Sequence, residues 1–295
     1  MIVTRLNGGL GNQLFQYAFG RCLAERHGVP LYLDIRDYRH SPQHGLLINH
    51  FAIDAQFLDK ELFSVVPDIL RRSRWQRLMW NMNPAHVRWV REKPFGFQPR
   101  WLSLGNSVYL DGYWQSALFF DDIADMIRKQ FNLITQPSLA THDTAARMRR
   151  TRSVAVHIRR GDYTTNASIA KIYRTLPLSY YEHCLRLWTP VPKDTAVFIF
   201  SNDIGWCKEN IHWAYPSYFV DHTDASTAYE DLYLMQQADA CITANSTLSW
   251  WGAWLGRSLG QVVFTPDDWF YPNTLNGQYL PCADWVRVPV AHSYS

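Results

Sequence analysis

The stretch VAVHIRRGDY, residues 154–163, sets charged side chains directly behind an apolar run. A strand-like segment ends at Ile158, and Arg159, Arg160, Gly161 and Asp162 follow at once. Arginine offers a planar, permanently charged fork that matches phosphate oxygens two at a time. Gly161 permits a sharp turn, and Asp162 can hold one guanidinium by a salt bridge. A purely structural Arg–Asp pair is the plainer alternative. Two more apolar runs end in polar clusters. FIFSND places Ser201, Asn202 and Asp203 behind one of them. The Asp203 carboxylate either accepts from the N1–H and 2-amino group of a guanine or caps a helix starting in SNDIGW. ACITANSTLSWWGAWLG, 240–256, puts Asn245, Ser246, Thr247 and Ser249 between a strand and a Trp-rich helix. Hydroxyls and free N–H groups at a helix start cradle phosphate, or merely cap the helix.

A fourth cluster lies near the N-terminus. In RLNGGLGNQLFQYAFG, residues 5–20, Gly8, Gly9 and Gly11 sit between a strand and a helical pattern, with Asn12 and Gln13 behind them. Strand, glycine turn and helix N-terminus together form an anion site or a simple tight βα turn. Other chemistries are disfavoured by what is missing. The chain has no D-x-D metal clamp, no H-E-x-x-H, no P-loop and no G-x-S-x-G. No metal site is expected, so a bound diphosphate has to be neutralised by arginines and backbone amides.

The elements that position these clusters alternate. MIVTRL, VPLYLDI and VYLD (108–111) read as strands in the first half, with helices over 12–27 and 121–133. VAVHI, AVFIF, YFV (218–220), ACIT (240–243) and VVF (262–264) read as short buried strands in the second. Such alternation predicts α/β halves with parallel sheets covered on both faces. Ligands of these sheets bind at the carboxyl ends of the strands. The polar, Pro-containing stretch after Asn132 separates the halves, giving domains 1–136 and 137–295.

Of the 295 residues, 47% are hydrophobic, enough for a sizeable core, and a net charge of +3 gives no reason to expect nucleic acid. Five scattered cysteines without a C-x-x-C pair fit reduced thiols, and the N-terminus lacks the order of a signal peptide. A cytoplasmic protein is expected. One segment stands apart. Residues 69–101 hold seven Arg and one Lys against Glu92, together with Trp75, Trp80, Trp89 and Trp101. Trp75, Leu78, Met79 and Met82 share one helical face. Two readings stand: a peripheral membrane contact, or a core-facing helix with a solvated basic side.

GGLGNQLFQYAFG (8–20), YLDGYWQS (109–116), HIRRGDY (157–163) and ANSTLSWWGAWL (244–255) together resemble the bacterial α-1,2-fucosyltransferases of glycosyltransferase family 11. The resemblance spans nearly the whole chain. It implies a GT-B-like architecture, two Rossmann-like domains facing a cleft, with the acceptor on the N-terminal side and GDP-β-L-fucose on the C-terminal side. It implies inverting transfer to the 2-OH of a terminal galactose on an oligosaccharide, O-antigen-type or another surface glycan, free or lipid-linked. Carried onto this chain, Arg159 grips the β-phosphate, with Arg160 beside it, and His157 lies near the nucleotide. Asp203 is placed to read guanine. Asn245, Ser246 and Ser249 line the diphosphate. Asn12, on the Gly9–Gly11 turn, faces the donor. Asp162 is either the base or, more simply, the arginine's anchor. Other linkages (α-1,3 or α-1,6) and a non-catalytic sugar-binding role are the rival readings.

Because no metal clamp is present in the sequence, transfer is expected to persist in excess EDTA. Activity lost in chelator and restored by Mg²⁺ or Mn²⁺ would reject that expectation.

Overall fold

The computed structural model describes residues 1–39, 45–68, 73–189, 192–257 and 260–290, without the side chains of Arg39, Asp162, Pro192 and Arg257. The chain divides into two compact units, Met1–Ile134 and Thr135–Ser295. The sequence reading sets the boundary after residue 136.

In the first unit, β1 (Ile2–Arg5), β2 (Leu31–Asp34), β3 (Gln56–Phe57), β4 (Arg88–Arg91) and β5 (Val108–Asp111) form a parallel sheet in the order β3-β2-β1-β5-β4. β1 lies at the centre because its residues Ile2, Val3 and Thr4 are wholly buried. The helices are α1 (Leu10–His27), α2 (Arg74–Asn81) and α3 (Ala124–Gln130). α1 is buried nearly all round, and its interior carboxamides are structural. Gln13 Oε1 accepts from the N–H groups of Leu47 and Ile48, and its Nε2 donates to the carbonyls of Gly8 and Gly45. Gln16 accepts from Asn7 N–H and donates to Gly112 O. Two helix side chains thus satisfy backbone groups of three loops, as buried polar atoms require. α1 ends at Gly28, whose φ of 60° lets its N–H reach the carbonyls of Ala24 and Glu25.

β3 and β4 were not legible as strands. β4 reads Arg-Trp-Val-Arg and sits inside the basic segment that suggests an amphipathic helix. The helix stops at Asn81, and β4 then takes the sheet edge with Trp89 and Val90 buried and both arginines exposed. Trp80 is buried as well, and Trp101 packs edge-on against Trp114 at 5.5 Å. Of the four tryptophans in this segment, Trp75 alone is surface-exposed.

In the second unit, β6 (Ser153–Ile158), β7 (Ala196–Ser201), β8 (Ser217–Phe219), β9 (Ala240–Ile242), β10 (Val262–Pro266) and β11 (Val286–Val288) form a parallel sheet in the order β11-β10-β9-β6-β7-β8. Its helices are α4 (Leu139–Arg150), α5 (Gly161–Thr165), α6 (Ala167–Ala170), α7 (Leu178–Trp188), α8 (Ile204–Asn210), α9 (Ala228–Met235) and α10 (Thr247–Arg257). Every residue of β6 is buried, and Val154, Val156 and Ile158 pack with Tyr180, Cys184 and Ile199 in one core. The tryptophans of α10 fill core rather than line a surface: Trp250 lies 4.9 Å from Trp251 and 5.5 Å from Trp285. β11 escapes the sequence reading because a three-residue edge strand has too little pattern. Among the described residues, no helix is long and apolar enough to cross a membrane.

α1 and β1 approach so closely at Gly20 that a Cβ there would overlap Thr4 Oγ1 and touch Leu31 Cδ1 at 3.0 Å. Gly20→Ala is therefore expected to destabilise the protein by about 1–2 kcal/mol, overpacking outweighing the gain in helix propensity. Thr4→Ala should relieve the contact, since the Thr4 hydroxyl is buried and has no hydrogen-bond partner to lose. Denaturation midpoints of the two single variants and the double variant test this. Strictly additive losses would remove the contact as the cause.

Candidate functional site

The sequence-selected side chains of the second unit gather at the C-terminal edge of its sheet. β6 is flanked by β9 on one side and β7 on the other, so the strand order, though not the parallel chain direction, reverses beside β6, the kind of switch point where open α/β sheets bind ligands. His157 and Arg159 come from the end of β6, and Asn245 and Ser246 from the loop between β9 and α10. Tyr163 OH donates to Asn245 O at 2.8 Å and ties the two loops together.

His157 is 2% exposed, and its Nδ1 has no hydrogen-bond partner. Burial, reinforced by the Arg159 charge, lowers its pKa to about 3. The ring is neutral at physiological pH, which leaves it a hydrogen-bonding group and not an imidazolium acid. A buried polar atom left unsatisfied costs about 1–3 kcal/mol, and such an atom at a crevice is a place for a ligand. Arg159 is half-buried, with its guanidinium carbon 5.5 Å from the centre of the Tyr163 ring. Stacking on an aromatic face holds the fork at low entropic cost.

Several sequence-selected residues turn out to hold the site rather than face it. Arg160 packs its guanidinium 3.6 Å over the Trp206 ring, and its Nε lies 3.7 Å from Asp203 Oδ2. Asp203 Oδ1 accepts from Trp206 N–H at the start of α8. Capping, one of the two roles open to Asp203 in the sequence, is the one this geometry supports. Asn202 fixes the turn: Oδ1 accepts from Arg160 N–H, and its Nδ2 occupies the space a Cβ at residue 161 would need. Gly161 is required there by close approach. Asn245 does not offer its amide to a diphosphate, because Nδ2 donates to the carbonyls of Arg174 and Trp269. Ser249 is fully buried and returns its hydroxyl to Ser246 O at 3.2 Å. Ser246 immediately precedes α10, and half-buried Thr247 is its first residue. The N–H groups of this helix start are the available anion donors. The Asp162 side chain lies outside the described residues.

Asp231 escaped the sequence reading. It lies in the first turn of α9, and the Thr223 hydroxyl donates to its Oδ1 at 2.6 Å. Thr223 follows β8, so this pair also belongs to the C-terminal edge. Burial pushes the Asp231 carboxyl up to about 7, with the neighbouring Glu230 adding to the shift. Glu230 points elsewhere, accepting from Ser138 and Thr141 of the α4 N-terminus. An acidic pair in a first helical turn was the available signal, but it reads equally as complementing the helix dipole. Cys184 and Cys241 are buried, and burial pushes both thiols up to about 12, which disfavours them as nucleophiles.

In the first unit, Gly8 is the member of the Gly8, Gly9 and Gly11 cluster that supplies the turn. Its φ is 78°, and its carbonyl accepts from Tyr38 OH at 2.7 Å. Gly9 is the N-cap of α1 in an extended conformation, and Gly11 is buried inside its first turn. Asn12 is half-buried, and Gln115 Nε2 donates to its Oδ1 at 2.9 Å, which sets the orientation of the amide.

A model of Glycosyl transferase family 11 matches residues 85–286. The α-1,2-colitosyltransferase of Escherichia coli is 32% identical over 294 residues, 98% of this chain and 99% of that protein. The galactoside α-(1,2)-fucosyltransferase 1 of Homo sapiens is 26% identical over 293 residues, 96% of this chain and 73% of that protein. Among solved structures, a mutant of Arabidopsis thaliana FUT1 in complex with GDP matches with a TM-score of 0.55 over 90% of this chain and 69% of that chain, at 14% identity. The fold is GT-B-like, with two Rossmann-like units.

The Asp231 carboxyl has a signature that can be measured. Its folded pKa of about 7 lies above the ordinary 3.8, so between those values the folded state holds a proton that the unfolded state has released. Stability must then fall as pH rises from about 4 to about 7. Asp231→Asn should flatten that slope and raise stability at pH 8 relative to the parent. Urea midpoints at pH 5 and pH 8 test it, and an unchanged slope in the variant would assign the effect to another group.

Proposed function

The chain belongs to glycosyltransferase family 11, and from that premise we propose that it transfers L-fucose from GDP-β-L-fucose, with inversion, to the 2-OH of a terminal galactose on a surface oligosaccharide. The observation that carries the reading is the pairing of Arg159 with neutral, unsatisfied His157 at the switch point, across from the start of α10. The linkage is supported by the SWWGAWL element and by the α-1,2 linkage in the names of both relatives.

The chemistry follows from where charge develops. As the C1–O bond lengthens, the sugar ring becomes oxocarbenium-like and the GDP oxygen becomes negative. Arg159 and the N–H groups at the start of α10 are fixed donors for that negative charge, and donors that need no reorganisation supply the largest catalytic term. In this reading no metal is needed, because arginine and helix dipole neutralise the diphosphate. The acceptor 2-OH attacks the face opposite GDP, which turns the β-linked donor into an α-linked product. The highly electrophilic ring lowers the demand for a strong base. Neutral His157 and Asp231 are assigned to the nucleotide base, the Asp231 carboxyl in its ionised form accepting from guanine N1–H and the 2-amino group. The N-terminal unit is assigned to the galactoside.

The colitosyltransferase relative supports a second donor reading. Colitose is fucose without its 3-hydroxyl, so both sugars present the same leaving group to Arg159, and one contact to that hydroxyl decides between them. Incubation with each GDP-sugar and a panel of β-galactosides, followed by linkage determination, tests both. An α-1,2-fucosylated galactose is the expected product. Donor hydrolysis without transfer, or another linkage, would overturn the proposal. Arg159→Ala is expected to lower kcat by ~10²–10³ with the fold intact. Arg159→Lys should recover little, since a point charge replaces a two-pronged fork. Rates within a few-fold of the parent for Arg159→Ala would remove the phosphate role.

A further inference from the structure

An ordinary surface helix turns its apolar stripe to the core and its polar side to water. α2 does the opposite. Trp75, Leu78, Met79 and Met82 recur at i, i+3, i+4 and i+7 along the helix and its C-cap. They are 75%, 52%, 63% and 68% exposed. The helix is rooted through its other side. Trp80 is buried, donates Nε1–H to Val87 O at 2.8 Å and stacks on the His86 ring at 3.8 Å. The Asn81 side chain both donates to Trp89 O and accepts from Trp89 N–H. A Ser73–Gln76 capping box closes the N-terminus. The helix is therefore capped and anchored without any help from its stripe, and the stripe is left facing outward as a contiguous patch.

Within the segment that carries the patch, residues 73–101, the exposed charge has one sign. Arg74, Arg88, Arg91, Lys93 and Arg100 are exposed, and Arg77 is half-exposed. Glu92 is the only acid between residues 73 and 101. Its carboxylate is turned onto the backbone N–H groups of Gly96, Tyr113 and Trp114, so it does not offset the surface arginines. Two copies of this patch set face to face would oppose like charges. An anionic headgroup layer over an apolar interior matches both features, since basic side chains meet the headgroups and Trp and Met side chains enter the boundary region.

We propose that α2 docks the protein peripherally on an anionic phospholipid surface, its stripe of Trp75, Leu78, Met79 and Met82 seated between headgroups. The inference goes beyond the transferase reading and does not rest on it. At eight residues the helix is ~12 Å long, so it lies on the bilayer and cannot span it.

The test is co-sedimentation of the full chain with phosphatidylglycerol–phosphatidylcholine vesicles. Binding is expected at low ionic strength, with little binding to phosphatidylcholine alone. It should drop several-fold near ~1 M salt, where the screening length is about 3 Å. Trp75→Ser combined with Met79→Ser should lower partitioning about tenfold or more. Arg74→Gln and Arg77→Gln should each lower it about fivefold. These positions are exposed or half-exposed, and circular dichroism confirms that the variants remain folded. Protein left in the supernatant with anionic vesicles at low salt overturns the proposal. So does a stripe variant that sediments like the parent, or a stripe-dependent dimer in sedimentation velocity without vesicle binding. Transfer to a soluble galactoside, followed on the same samples, separates this outcome from the transferase reading.

Discussion

The second unit depends on the buried amide of Asn245. Its Nδ2 holds the carbonyls of Arg174 and Trp269, while its own carbonyl receives the Tyr163 hydroxyl. Two loops and the short helix α5 are thereby fixed to a single residue that is 1% exposed. Removing the amide would strand two carbonyls, each costing about 1–3 kcal/mol when buried without a partner. Tyr163 in turn carries Arg159 on its ring face and stacks on Tyr173 at 4.9 Å. The Tyr163 ring thus links the backbone carbonyl of residue 245 to the face on which Arg159 lies.

This arrangement separates charge neutralisation from proton transfer. Burial and the Arg159 charge keep His157 neutral at physiological pH, and burial disfavours the thiolate of Cys241. What the edge offers is fixed positive potential: Arg159 and the dipole of α10. A site built this way suits a reaction in which a large anion leaves and little acid–base work is needed. The neighbouring Arg160 shows how context divides two adjacent arginines. One meets Trp206 and Asp203 and becomes part of the scaffold, while the other remains at the crevice.

In the first unit, polar side chains inside the fold do the work of organising loops. Gln13 and Gln16 bind the backbone of segments far away in sequence, and Glu92 closes the turn where Trp114 adopts a φ of 56°. α2 is held through Trp80 and Asn81, and its apolar stripe lies exposed.

The sequence by itself determined the two α/β halves, the strands of the central positions and the clusters at their ends. Buried parallel strands leave short, dense apolar runs, and a polar group directly behind such a run is at the sheet edge by construction. It could not determine which member of a cluster faces a ligand. Arg159 and Arg160, or Asn245 and Ser246, are equivalent in type and adjacent in sequence. Their roles diverge through partners such as Trp206, Arg174 and Trp269, which chain order does not reveal. Edge strands β4 and β11 and the carboxyl of Asp231 were hidden for the same reason. A short strand is made by its neighbour, and a raised pKa by burial that tertiary packing creates. The outward stripe of α2 is the sharpest case, because periodicity marks a helix as amphipathic but only the fold decides which way it turns.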